Sequence, residues 1–153
     1  MRLAKQRLRI LLVFMVAVFA VWAKVDYAVT GYRGHYLPED VLPKYWFWMW
    51  IMGVPAVSFV FALAYWTGAP KTKRNRKITA AIFLTGIFLG IGQLEDFFYF
   101  ALNGLPFPSG EWTWFRDTLF YKIFGTWTTP LHFMWLGGWV IIVLVMWKIL
   151  LRD

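Results

Sequence analysis

Cysteine is absent from the chain. Disulfides, thiolate metal sites, thiol nucleophiles and cysteine-ligated clusters are therefore excluded. Histidine is nearly absent: His35 and His132 are the only two. No close-spaced His pair of the kind that anchors many metal motifs exists. Charge is also sparse, at 16% of residues against 60% hydrophobic, and the mean hydropathy is +0.55. A water-soluble domain of 153 residues needs more polar surface than this.

What is present in quantity is long apolar chain. Four segments, 10–30, 45–67, 78–102 and 129–149, are each close to the length needed to cross a hydrocarbon core. The expected fold is all-α and integral to the membrane. Residues 1–153 form a single transmembrane domain built as a four-helix bundle. Arg2, Lys5, Arg7 and Arg9 precede the first segment, which reads as a retained signal-anchor helix rather than a cleaved signal peptide. Pro55 near the middle of the second segment predicts a kink. Gly86 and Gly90 in the third have small-xxx-small spacing, and Gly137 and Gly138 lie in the fourth; all four are expected at helix-packing surfaces. Between the third and fourth segments, Trp112, Phe115, Leu119 and Ile123 follow helical spacing. They predict a short amphipathic helix over 111–124, lying in the membrane interface. Thr129-Pro130 reads as N-cap and first position of the last helix.

The Lys and Arg residues set a direction. Arg2, Lys5, Arg7, Arg9, Lys71, Lys73, Arg74, Arg76, Lys77, Lys148 and Arg152 fall on one side. Lys24, Arg33, Lys44, Arg116 and Lys122 fall on the other. The positive-inside rule then places both termini in the cytoplasm, with the chain in the cell membrane. The basic turn Lys71, Lys73, Arg74, Arg76 and Lys77 is expected to meet lipid headgroups, and no nucleic-acid partner is expected. Acids run the opposite way: Asp26, Glu39, Asp40, Glu95, Asp96, Glu111 and Asp117 lie toward the outer side, as do both histidines. The topology rule does not require that bias, so it is the first sign of a site.

Gln93-Leu94-Glu95-Asp96 is the sharpest part of that sign, because it interrupts an apolar run. At helical rise, Glu95 and Asp96 stand about 26 Å above the cytoplasmic start of their span, and Asp26 about 24 Å up its own. His132 occupies the first turn of the last span, at the same outer level. An ionisable residue inside the membrane is a functional candidate that should face the bundle. Asp96 shares the face of Gly92, Gln93 and Tyr99, so Asp96 is expected on the small-residue seam, with Glu95 flanking it. Three readings stay open. In the first, Glu95, Asp96 and His132 hold a divalent transition metal, with Asp26 or His35 as a further ligand and Gln93 and Tyr99 as supporting hydrogen-bond groups. In the second, the carboxylates act as an acid and a base on a lipid or isoprenoid, with Trp48, Trp135, Trp139 and Phe98 stabilising a cation. In the third, the chain is an accessory subunit docking other membrane subunits, or a copy of itself, through its glycines. Against the first two stands simple pairing of the acids with Lys24, Arg33, Lys44 or Arg116 and with water.

The stretch LEDFFYFALNG, from Leu94 to Gly104, resembles the acidic-aromatic stretch of small prokaryotic four-span membrane proteins and of the heterodimeric-type carotenoid (lycopene) cyclases. WAKVDYAVTGY around Asp26 is similar to a Trp-Asp stretch in those cyclases. The resemblance implies cofactor-free proton chemistry on Asp26, Glu95 and Asp96. The chain departs from the cyclases in carrying Glu-Asp rather than Glu-Glu, in lacking a proline before the pair, and in a longer gap from Asp26 to Glu95.

Overall fold

The computed structural model describes residues 2–31, 38, 41–116 and 118–150, without the side chains of 2–5 and 43. Arg33, His35, Glu39, Asp40, Asp117, Arg152 and Asp153, and the side chains of Arg2 and Lys5, lie outside the described residues. Within them the chain is helical, and its only β feature is an isolated antiparallel bridge between Glu111 and Thr128. Helix α1 is Arg2–Thr30 and α2 is Leu42–Trp48. A π turn, Met49–Gly53, joins α2 to α3, Val54–Thr67. Then come α4, Lys73–Ile91, and α5, Leu94–Leu102. A 3-10 turn, Thr113–Phe115, precedes α6, Leu119–Phe124, and α7, Thr129–Leu150.

Three runs are long and apolar enough to cross a membrane: Gln6–Thr30, Lys44–Thr67 and Thr129–Leu150. The pair α4 and α5 makes a fourth if it is one span broken by its 59° bend. The expected continuous helix over 78–102 is thus corrected to two. Gly92 closes α4 with its N–H on the Phe88 carbonyl, and Gln93 then takes left-handed backbone, φ 60 and ψ 42. Gly86, Gly90 and Gly92 lower helix propensity just where the chain turns. The second run stays continuous through Pro55. Proline lacks an N–H and crowds the carbonyl four residues back, and the π turn immediately before it takes up that misfit.

Helix α4 lies between α3 and α7, while α1 packs on α3 and α5. Close approach of α3 and α4 needs its glycines. A Cβ on Gly86 would sit 2.3 Å from Ser58 Oγ, and one on Gly90 would sit 2.4 Å from Val54 Cγ1. The expectation of Gly86 and Gly90 as surfaces for another subunit therefore fails: this chain's own α3 covers them. Gly137 and Gly138 have nothing within 4 Å of a Cβ and remain open. The main core runs through Met15, Phe19, Tyr65, Ile82 and Trp147. At the basic end, Arg7 donates to the Ala64 carbonyl and Lys71 to that of Trp66, so cations satisfy the free carbonyls ending α3.

The opposite end is capped by a second cluster around Phe100, Trp112, Phe115 and Trp127. The single amphipathic helix expected over 111–124 is corrected here. Trp112 and Phe115 are buried, whereas Leu119 and Ile123 on α6 are exposed. Thr118 starts α6 afresh by accepting from the Tyr121 N–H, which breaks the shared face. Thr129 does not cap α7 as expected either. Its hydroxyl donates to the Pro108 carbonyl and accepts from Trp112 Nε1, tying the connection down over the bundle.

Glu111 secures the same connection, accepting from Tyr121 Oη at 2.6 Å and Arg116 at 2.9 Å. Those donors hold its carboxyl below the usual carboxylate range. A lowered folded value means the clamp contributes above the ordinary carboxylate value and is lost as pH falls through the folded one. Proteolysis within residues 105–125 should accelerate over that acidic window, and Glu111→Gln should remove the acceleration.

Candidate functional site

Asp26 and Glu95 face one cavity. Helix α1 supplies Phe19, Trp22 and Asp26, a stripe at helical spacing. Helix α2 and the π turn supply Trp46, Met49 and Trp50, α3 supplies Val54, and α5 supplies Glu95. The cavity volume is about 10 Å³, room for one water. Both acids are buried. Tyr45 and Trp46 act on the Asp26 carboxyl as its polar neighbours, while Asp26 Oδ1 and Glu95 Oε1 have no hydrogen-bond partner among the described residues. Trp22 is fixed as a wall by stacking on Phe19 and by donating from Nε1 to Met49 Sδ at 3.2 Å. Its ring fits because residue 53 is glycine: a Cβ there would lie 2.2 Å from Trp22 Cη2.

Two of the four cations expected to neutralise the acids are engaged elsewhere, and Arg33 lies outside the described residues. Lys24 donates to Asn103 Oδ1 and Arg116 pairs with Glu111. Among the described residues no Lys or Arg pairs with Asp26, Glu95 or Asp96. Two anions in an apolar cavity repel, and no cation among the described residues offsets their loss of water. A single proton held between them removes both difficulties.

Asp96 takes the flanking position and Glu95 the inner one, the reverse of the expectation. Asp96 is only half-buried, although Asp26 acts on it electrostatically as it does on Glu95. The expectation assumed an unbroken helix, and the turn at Gln93 resets the phase of everything after it. The expected aromatic walls are corrected too. Trp48 points outward, 59% exposed, and Trp135 and Trp139 pack toward Ile91 and Phe88 on the α7 side. Phe98 packs with Phe97.

His132 belongs to a different polar pocket. It is fully buried on α7, with its Nδ1 3.2 Å from Gln93 Oε1 and its ring stacked on Trp112 at 4.8 Å. In this orientation Nδ1–H donates to the carboxamide oxygen, leaving His132 Nε2 and Gln93 Nε2 without partners. Gln93 thus supports the histidine rather than the acids. Tyr99 does not support them either: its hydroxyl donates to the Gly31 carbonyl at 2.6 Å, joining α5 to the end of α1. A metal needs several such ligands to converge. Among the described residues no three His, Asp or Glu side chains do so. The expected ligand set of Glu95, Asp96, His132 and Asp26 is divided between two pockets, and the metal reading is corrected accordingly.

Gln93 is the one described non-glycine residue at positive φ. Backbone strain of this kind costs on the order of 1–3 kcal/mol and persists only where its surroundings hold it. Gln93→Leu keeps that strain and leaves the buried imidazole donor unpaired. We expect a further loss of about 1–3 kcal/mol, read as earlier thermal unfolding in detergent. Gln93→Gly should lose less, because the strain is relieved.

No family model, curated protein or solved structure matches this chain.

Proposed function

We propose that this chain is a small integral protein of the cell membrane, with both termini cytoplasmic, whose Asp26 and Glu95 perform metal-free acid–base chemistry on an apolar, isoprenoid-type olefin. The observation that carries the reading is the pair itself: two buried acids from two helices, facing one aromatic cavity with no cation from the described residues lining it. The Lys and Arg distribution supports the orientation, and puts the pair near the outer end of the bundle. The resemblance of Leu94–Gly104 to the carotenoid cyclases points to the same chemistry.

The carboxyl holding the proton adds it to one olefinic carbon. The π pair forms the new C–H bond, leaving a cation on the neighbouring carbon. Trp22, Trp46 and Trp50 stabilise that cation through their ring faces. The other carboxylate removes a proton from an adjacent carbon, and the released pair becomes a new double bond. The substrate gains one proton and loses one, so no oxidant or reductant is needed. Tyr45 stands beside Asp26 as its polar neighbour. The cavity as it stands has room for one water only, so an olefin end enters by displacing Trp46 and Trp50 from it.

The test is incubation of the purified protein in lipid nanodiscs with lycopene in deuterated water. The reading predicts deuterium at allylic or ring positions of an isomeric product. No incorporation by the wild-type protein overturns it.

A further inference from the structure

The second span changes character at its π turn. After the turn, Val54, Ser58, Ala62 and Tyr65 are buried at helical spacing along α3. Before and within it, no described side chain from residue 42 to residue 53 is buried, and Phe47, Trp48, Ile51 and Met52 are exposed. The backbones follow the same division. Helix α3 packs along α4 at Gly86 and Gly90, whereas α2 and the π turn lie close chiefly to each other and, for the turn, to α3. One half of the span is thus anchored in the bundle. The other half has few buried contacts, the physical mark of a segment that opens locally.

The junction between the halves is suited to bending. π turns are rare inside helices and occur mostly at functional sites. Pro55, just past this one, withholds the backbone bond that another residue would give to the turn. What ties the loose half to α1 is side-chain contact. Trp22 Nε1 donates to Met49 Sδ, and the Trp22 ring seats where Gly53 has no Cβ. Within lipid no hydrophobic force presses helices together, so an exposed apolar side chain moves among acyl chains at little cost. Those few contacts therefore set how firmly the segment stays closed.

The same segment closes the carboxylate cavity, since Trp46, Met49 and Trp50 form one side of its wall. We infer that residues 42–53 form a flap, hinged at the π turn, that swings away from α1 and opens the cavity sideways to the lipid. The outward side chains Phe47, Trp48, Ile51 and Met52 are all apolar, so the opening admits an apolar chain from the bilayer rather than a polar molecule from water. What enters rests on the reading given above for Asp26 and Glu95. The movement itself is measured with no olefin present, so a rigid flap and an absence of deuterium transfer are separate results.

Because the chain has no cysteine of its own, paired spin labels test this directly. One pair joins Phe47→Cys on the flap to Leu144→Cys on α7. A reference pair joins Phe59→Cys, on α3 past the hinge, to the same Leu144→Cys; all three positions are exposed. Measured by double electron–electron resonance in nanodiscs, the flap pair should show two distances and the reference pair one. Met49→Ala removes the sulfur that Trp22 holds, and Gly53→Ala places a Cβ 2.2 Å from the Trp22 ring. Each should shift the flap pair toward its minor distance, changing the population ratio about two- to tenfold, and leave the reference pair as it was. A single narrow distance for the flap pair in the otherwise wild-type chain overturns the inference. So does a reference pair as broad as the flap pair, which would make the whole helix the moving part. A flap population that neither variant moves overturns it too, because the contacts with Trp22 would then not hold the flap closed.

Discussion

Replacing Glu95 with Gln is expected to slow deuterium transfer into the olefin by about 10²–10⁴-fold, the usual contribution of a positioned acid or base. Asp26→Asn should do the same. The two changes together should cost little more than either alone, since proton delivery and removal need both members of the pair. Either amide keeps the volume and most of the polarity of the acid, so the walls formed by Phe19, Trp22 and Trp50 stay in place. Three controls bound the interpretation. Asp96→Asn changes a half-buried group at the rim, and should cost less than tenfold. Glu111→Gln lies outside the cavity and should leave transfer unchanged. His132→Gln removes the other pocket's imidazole, so a loss as large as that of Glu95→Gln would move the chemistry there. Tyr45→Phe separates positioning from proton transfer. It removes the polar neighbour of Asp26 while leaving both acids, so transfer should fall and the dependence on Glu95 should persist.

The second large effect is structural. Gly86→Leu should prevent α3 from seating on α4. The Cβ alone would lie 2.3 Å from Ser58 Oγ and 3.1 Å from the Ser58 Cα, so the backbone would have to move. Overpacking of this kind typically costs about 1–3 kcal/mol, and a branched side chain meeting backbone belongs at the upper end. Gly90→Leu meets the side chain of Val54 instead, at 2.4 Å. There the second change Val54→Ala makes room, and the double variant should recover much of the loss. Gly137→Leu and Gly138→Leu are the contrast, since nothing lies within 4 Å of either Cβ. Both should leave thermal unfolding in detergent where it is in the wild type. A Gly86→Leu protein as stable as Gly137→Leu would contradict the packing of α3 on α4.

Much of the fold can be read from apolar run length. The first, second and last spans are visible as long segments with few charges, and the structure keeps them near Gln6–Thr30, Lys44–Thr67 and Thr129–Leu150. The break at Gln93 is harder to see. Hydrophobicity continues across it, and only the cluster of Gly86, Gly90 and Gly92 hints that helical hydrogen bonding is weak there. That single turn also explains why Asp96 rather than Glu95 looked like the inward residue. Thr118 carried a readable N-cap signal, which would have split 111–124 where the structure splits it. Within the cavity, Phe19, Trp22 and Asp26 form a stripe on one helix, legible from spacing alone. Their partners Trp46 and Trp50 are not legible in that way. Periodicity shows which face of a helix is covered, never which other helix covers it. His132 illustrates the same limit: its depth was readable, while its separation from the acids by the bend at Gln93 was not.

The pairing of Asp26 with Glu95 in an apolar cavity is tested most directly by a membrane-soluble carbodiimide, which reacts only with a carboxyl that holds a proton in apolar surroundings. Treated in nanodiscs at neutral pH and mapped by mass spectrometry, the wild-type chain should carry a single adduct on Asp26 or Glu95. Asp26→Asn with Glu95→Gln should carry none. Absence of any adduct on the wild type, or an adduct that persists in the double variant, would contradict the account.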